Sequence, residues 1–143
     1  MDQLCLDKQL CFKLYALSRQ VTNLYRPVLE ELDITYPQYL VMLVLWEEKK
    51  ITVKELGKRL FLDSGTLTPL LKRLEQKGLL TRQRDAADER SVVAALSIQG
   101  KELQQKAKKI PGTLGKCLSL DKREYQGLKE QLDQLLLQLT DEE

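Results

Sequence analysis

The hydrophobic pattern changes its period between residues 53 and 96, and this change constrains the fold more than any other feature of the sequence. Two short segments, residues 53–60 and a second that runs to Lys77, have apolar side chains at helical spacing. Residues 79–84 and 91–96 then have the character of strands, on either side of a polar tip. Two short helices joined by a tight turn form a helix-turn-helix, and a hairpin directly after it is a wing.

Capping residues indicate where these two helices begin and end. Thr52 with Glu55 forms a capping box that opens the first helix. Asp63 or Ser64 caps the second helix, and Gly78 is its C-terminal stop.

Two further helices are predicted before this region. Apolar side chains recur at helical spacing over residues 6–32, and we expect Pro27 to kink or split that helix. Thr35 and Gln38 form a capping box for the next helix, which runs to about Trp46. This second helix is apolar nearly all round, so we expect it to be the buried centre of the domain.

The C-terminal third is also helical. Ser97 caps a helix toward Lys109, residues 110–112 interrupt it, and Asp121 with Glu124 opens the last helix. The apolar stripe of this last helix contains Tyr125, Leu128, Leu132, Leu135, Leu136 and Leu139. Apolar helices at both ends of a small chain favour dimerisation across a two-fold axis.

The predicted fold class is therefore mainly α with a small β-hairpin wing, as a winged helix-turn-helix with N- and C-terminal dimerisation helices. Residues 35–97 form the DNA-binding part. Residues 1–34 and 98–143 form the helical dimerisation region, and the whole is one continuous domain. A chain of 143 residues is long enough for such a core.

Composition excludes several classes of function. No window approaches eighteen uncharged apolar residues and the N-terminus has no secretory pattern, so we expect a cytoplasmic protein without a membrane span. Three scattered cysteines and the absence of histidine predict neither a disulfide framework nor a metal site, and no cofactor motif is present. Residues 51–91 carry nine basic and six acidic side chains, a modest excess compatible with binding nucleic acid.

The second helix of a helix-turn-helix lies in the major groove of DNA, with residues near its N-terminal end facing the bases. The candidate base or phosphate contacts of this helix are Ser64, Thr66, Thr68, Lys72 and Arg73. In the wing, Arg90 is placed to enter the minor groove, Asp88 to hold its guanidinium, and Arg82 and Arg84 to contact phosphates. The alternative is a capped surface helix and a solvated hairpin with mixed charges.

Cys11 is the candidate chemical site. Without histidine, a reactive thiolate depends on tyrosine hydroxyls, backbone N–H groups and basic side chains for its stabilisation. Cys11 and Tyr15 are four residues apart and share a helix face. The alternative is that Cys11 is a small buried hydrophobe, because free cysteine is among the most buried residue types.

Several runs of residues together resemble the MarR family of dimeric winged-helix regulators. Within that family they are most similar to the organic-hydroperoxide-sensing repressors and related staphylococcal thiol regulators. The matching runs are residues 9–12 with Tyr15, residues 34–39, residues 62–75 and residues 88–90.

This resemblance implies roles for individual residues. Cys11 matches the peroxidatic cysteine of the family, and Tyr25 and Tyr36 match tyrosines that hydrogen-bond it, partly from the other subunit. Tyr15 matches a further aromatic near that pocket. Cys117 lies where two-cysteine members carry a resolving cysteine. The implied function is a homodimeric repressor that binds double-stranded operator DNA when reduced and leaves it when organic hydroperoxide oxidises Cys11.

Two other functions remain open from the sequence. A MarR-type regulator released by a small apolar or phenolic ligand would leave Cys11 with a structural role. A thiol peroxidase would use the same cysteine, but a winged helix is superfluous to an enzyme, so we expect the chain not to be one.

Overall fold

The computed structural model describes residues 3–140, and these form helices with short strands among them. The helices are α1 (Leu10–Glu30), α2 (Tyr36–Glu48), α3 (Val53–Leu60), α4 (Ser64–Gln76), α5 (Ile98–Ala107), α6 (Gly112–Cys117) and α7 (Lys122–Thr140). The strands are β1 (Lys50–Thr52), β2 (Leu80–Arg84) and β3 (Val92–Leu96). The chain divides into two units between Ile110 and Pro111. The predicted class, mainly α with a small wing, is confirmed.

The predicted caps determine the helix boundaries around the helix-turn-helix. Thr35 and Gln38 exchange both hydrogen bonds of a capping box, at 3.3 and 3.0 Å, so α2 begins directly after Thr35. Asp63 accepts the backbone N–H of Thr66 at 2.7 Å and caps α4. Gly78 follows α4 with φ +75°, a left-handed conformation that suits glycine and ends the helix.

Helix α2 is the centre of the first unit, as its sequence predicts. Val41, Met42 and Leu45 are fully buried in it. Trp46, at its C-terminal end, is buried too and donates its indole N–H to the carbonyl of Gly100 at 2.8 Å. This hydrogen bond ties α5 to the core that supports the helix-turn-helix.

The wing belongs to a three-stranded antiparallel sheet with strand order β1-β3-β2. Strands β2 and β3 form the predicted hairpin, with Leu80 opposite Leu96. Strand β1 was not predicted from the sequence; in it, Ile51 pairs with Ala94 of β3. A three-residue strand between two helices is too short to show the alternation of apolar and polar residues that indicates a strand. Only its pairing with β3 defines it.

The predicted start of the first helix is wrong, and so is the split that was one of the two outcomes predicted for Pro27. Residues 6–8 form a separate 3₁₀ turn, because the extended backbone of Gln9 (φ −88°, ψ 111°) interrupts the helix and α1 begins only at Leu10. Pro27 does not split α1, which continues to Glu30. Since Pro27 lies in the last turn, few residues follow the hydrogen bond that its missing N–H removes.

The second unit contains α6 and α7. Helix α6 was not predicted from the sequence; it has six residues and ends at Cys117. Asp121 and Glu124 form the predicted capping box before α7, with hydrogen bonds of 2.8 and 2.9 Å. The apolar side chains of α7 are exposed in the single chain. No helix within residues 3–140 is both long enough and apolar enough to cross a membrane.

Candidate DNA-binding surface and thiol site

Helix α4 has one buried face and one exposed face. Leu67, Leu71 and Leu74 are buried and anchor the helix on the core. The candidate contact residues lie on the exposed face: Ser64, Thr66, Thr68, Lys72 and Arg73. The hydrogen bond from the Thr66 N–H lowers the pKa of the Asp63 carboxyl, so this cap stays ionised well below neutral pH. The exposed face therefore begins at a fixed helix N-terminus and offers hydroxyl and basic groups to a ligand.

Hydrogen bonds within the hairpin hold the tip of the wing. The guanidinium of Arg84 donates to the carbonyl of Glu89 at 2.9 Å. The Asp88 carboxylate accepts the backbone N–H of Arg90 at 3.0 Å. This differs from the expectation that Asp88 holds the Arg90 guanidinium, because an aspartate readily accepts from the backbone two residues ahead. Arg90 itself is exposed, and its side chain extends from a turn that Asp88 shapes.

Arg82 faces α4. Its backbone N–H donates to one carboxylate oxygen of Glu75 at 2.9 Å, and its guanidinium donates to the other at 3.2 Å. These bonds lower the pKa of the Glu75 carboxyl, chiefly through the guanidinium. The expected phosphate contact by Arg82 remains a prediction, but part of its donor capacity is used inside the protein. The pairing of Arg82 with Glu75 was not predicted from the sequence, because it follows from the packing of β2 on α4.

Cys11 lies in the first turn of α1 and is exposed in the single chain. The alternative of a small buried hydrophobe therefore does not describe this thiol within one subunit. Tyr15 follows one turn later, also exposed, with the guanidinium of Arg19 5.6 Å from its ring centre. Cys5 precedes the 3₁₀ turn and is half-buried. Within the described part of the chain, no cluster of three or more acidic or cysteine side chains is placed to hold a metal ion.

Tyr25 and Tyr36, the other predicted members of the thiol pocket, lie together, with ring centres 5.2 Å apart. Tyr39 joins them at 6.3 and 6.1 Å and contacts Trp46 at 6.2 Å. Tyr39 was not among the residues predicted for the thiol pocket. Burial raises the pKa of Tyr36 and Tyr39, so both hydroxyls remain protonated donors at neutral and mildly alkaline pH.

One chain does not bring Cys11 and this tyrosine cluster together. Cys11 and Tyr25 belong to the same continuous helix, and fourteen residues separate them. At 1.5 Å per residue they are about 21 Å apart along its axis, roughly four turns. A hydrogen bond needs donor and acceptor to approach far more closely than that. Tyr25 therefore cannot stabilise the thiol of its own subunit.

Known proteins resemble both the sequence and the fold. Residues 23–107 match the transcriptional regulator SarA/Rot family. The organic hydroperoxide resistance transcriptional regulator of Bacillus subtilis strain 168 is 54% identical over 129 residues, covering 90% of this chain and 86% of the relative. These matches cover α4, the wing and the tyrosine cluster.

Solved structures extend the comparison. AbfR of Staphylococcus epidermidis, reduced and bound to DNA, superposes with a TM-score of 0.80 at 38% identity, covering 99% of this chain and 96% of AbfR. Disulfide-formed AbfR gives 0.65 at 38% identity, with coverages of 94% and 95%. A mutant of MarR from E. coli, complexed with operator DNA, gives 0.77 at 29% identity, with coverages of 86% and 90%. These neighbours are DNA-binding regulators rather than enzymes.

Proposed function

This chain belongs to the SarA/Rot family of MarR-type winged-helix transcriptional regulators, and on that basis we propose that it is a dimeric, redox-sensing repressor. In its reduced state it binds operator DNA, and oxidation of Cys11 by an organic hydroperoxide releases it. The relative from B. subtilis is named for organic hydroperoxide resistance, which supports this class of inducer.

The observation that carries the proposal is the separation of Cys11 from Tyr25 along α1, about 21 Å. If tyrosine hydroxyls stabilise the thiolate, as in the regulators that this chain resembles, Tyr25 and Tyr36 must come from a second subunit. The thiol pocket is then formed only in the dimer. The thiol sensor therefore forms only in the same dimer that binds DNA.

Exposed apolar surface supports the same dimer. Leu10, Leu14 and Leu17 on α1 are 67%, 41% and 52% exposed in the single chain. Large apolar patches of this kind mark interaction sites. Helices from residues 1–34 and 98–143 form the proposed dimerisation region, and a second copy of the chain covers these side chains.

The proposed oxidation proceeds in two steps. The Cys11 thiolate attacks the terminal oxygen of the hydroperoxide ROOH, so that an S–O bond forms and the O–O bond breaks. The sulfur keeps the OH group as a sulfenic acid, and the alkoxide leaves and takes up a proton to become an alcohol. The sulfenic acid then reacts with the Cys117 thiol of the other subunit, giving a disulfide and water. Disulfide-formed AbfR supports a disulfide as the end state. Reduction by small thiols or a thioredoxin-type protein would restore the thiols.

The proposed output is a change in the spacing of the two recognition helices. An inter-subunit disulfide needs the two sulfur atoms about 2.05 Å apart, so the helices that carry Cys11 and Cys117 must move if the sulfurs start farther apart. Paired recognition helices fit half-sites about 34–36 Å apart. A movement that changes this spacing weakens binding to the operator.

Titration with cumene hydroperoxide in an operator-binding assay tests this proposal. We expect the reduced protein to bind, the oxidised protein to release DNA, and Cys11→Ser to bind but not to respond. A Cys11→Ser protein that still releases DNA with peroxide would contradict the sensing role. Release of that variant by a small phenolic ligand would instead favour a ligand-responsive MarR-type regulator.

A further inference from the structure

A single carboxylate of α4 forms the polar contact with the middle of β2. Glu75 accepts the backbone N–H of Arg82 with one oxygen and the Arg82 guanidinium with the other, at 2.9 and 3.2 Å. The pair is partly shielded, with side-chain exposures of 25% for Arg82 and 37% for Glu75. One residue of the recognition helix therefore holds both the main chain and the side chain of the wing strand.

The start of β2 is anchored without Glu75, because Leu80 is buried along with Leu74 of α4 and the Leu79 N–H donates to the Leu74 carbonyl at 3.0 Å. The Glu75 contact lies farther along β2, toward the tip of the wing. An open cleft of about 270 Å³ lies beside the pair, lined by Glu75, Arg82, Gln83, Arg84 and Val92. The Nε atom of Arg82 is buried and has no hydrogen-bond partner within the described residues. Loss of the carboxylate would leave a half-buried guanidinium without its acceptor, and such a group shifts to reach water. Glu75 thus adds the polar contact that fixes β2 against α4 beyond its buried start.

We infer that Glu75 is a positioning residue for DNA binding, which fixes the wing relative to the recognition helix so that Arg90 and the exposed face of α4 engage one half-site together. This inference rests on the proposed contact of the wing with DNA. Glu75 itself is assigned no contact with DNA. Its effect on affinity passes entirely through the hairpin.

The direction of the expected change in operator affinity distinguishes this positioning role from simple electrostatic repulsion. Removing a negative charge near DNA should by itself strengthen binding, because the phosphates repel carboxylates. We expect Glu75→Gln to weaken operator binding by about threefold to tenfold, the range for loss of a partly exposed charge-assisted contact. Glu48→Gln is the matched control. It removes the same charge from an exposed pair with Arg59, 3.2 Å apart in α2 and α3, and should not weaken binding.

A double-mutant cycle tests whether Glu75 acts through the wing. Operator affinity is measured for Glu75→Gln, Arg90→Ala and the double variant, at one salt concentration and with circular dichroism to verify folding. We expect Arg90→Ala to weaken binding, and Glu75→Gln to change affinity less than about twofold once Arg90 is absent. If Glu75→Gln does not fold, Arg82→Lys takes its place in the cycle. This variant keeps the positive charge and the backbone N–H but loses the guanidinium that donates to Glu75.

Each other outcome overturns a defined part of the proposal. An additive loss in the double variant, or unchanged affinity of folded Glu75→Gln, overturns the role of Glu75 alone. Unchanged affinity of Arg90→Ala overturns the wing contact and with it this inference. The peroxide response of the wild-type protein is measured separately, so neither result bears on the proposed redox sensing.

Discussion

At the scale of single residues, the N-terminus of α1 is the activating environment that one subunit offers the Cys11 thiol. The chain has no histidine, and Cys11 is exposed at the start of α1 rather than held in a pocket of its own subunit. The tyrosine cluster adds hydrogen-bond donors if it comes from the partner. Since the pKa values of Tyr36 and Tyr39 are raised by burial, these residues act as neutral donors and do not compete with the thiol for deprotonation.

Tyr36→Phe tests the donor at this site. The variant keeps the ring that packs 5.2 Å from Tyr25 but loses the hydroxyl. We expect Cys11 to react with iodoacetamide about threefold to tenfold more slowly at pH 7, because one hydrogen bond to the thiolate is lost. The rate is measured in a background with Cys5 and Cys117 replaced by serine.

Tyr125→Phe is the matched control for this measurement, since it removes a hydroxyl from α7 and keeps the ring that belongs to the apolar stripe. Its rate should equal that of the parent protein. Equal rates for Tyr36→Phe and the parent would remove Tyr36 from the thiol pocket.

At the scale of elements, the helix-turn-helix could be predicted because its signals are local. Asp63 caps α4 and Gly78 ends it through bonds and dihedral angles that involve nearby residues only. Strand β1 could not be predicted, because three residues become a strand only by pairing with β3. The Arg82 contact was missed for the same reason. A basic side chain next to DNA is expected to face phosphate, and only the packing of β2 on α4 shows Glu75 as its partner.

Thr35→Ala tests one of these local signals. The hydroxyl of Thr35 accepts the N–H of Gln38 at 3.3 Å at the start of the buried helix α2. Loss of such a cap costs about 1 kcal/mol, so we expect the free energy of unfolding in urea to fall by that amount. Both proteins are compared at one concentration, because dimerisation couples stability to concentration.

Thr22→Ala is the control for the cap. The Thr22 hydroxyl donates to carbonyls of its own helix, those of Ser18 and Arg19, and caps no helix end. We expect a change within about 0.5 kcal/mol, as for ordinary surface substitutions. A fall for Thr22→Ala as large as that for Thr35→Ala would show that loss of any threonine hydroxyl, and not of the cap, destabilises the chain.

At the scale of the whole molecule, the exposed leucines of α7 need a partner surface. Leu128, Leu132 and Leu135 are 42%, 38% and 40% exposed in the single chain, at spacings that put them on one stripe. A stripe of this kind is stable in water only when another apolar surface covers it. In the proposed dimer a second copy provides one by symmetry, and it would also bring Tyr25 and Tyr36 to the thiol.

Oxidation of the dimer tests whether Cys11 of one subunit and Cys117 of the other form one redox site. If Cys117 of one subunit resolves the sulfenic acid on Cys11 of the other, treatment with cumene hydroperoxide should give a covalent dimer on non-reducing electrophoresis. Cys117→Ser should give none, because the sulfenic acid then has no partner thiol across the interface. Cys5→Ser is the matched control, since it removes another thiol from the same chain and should leave the covalent dimer intact. A covalent dimer that persists in Cys117→Ser and disappears in Cys5→Ser would transfer the resolving role to Cys5.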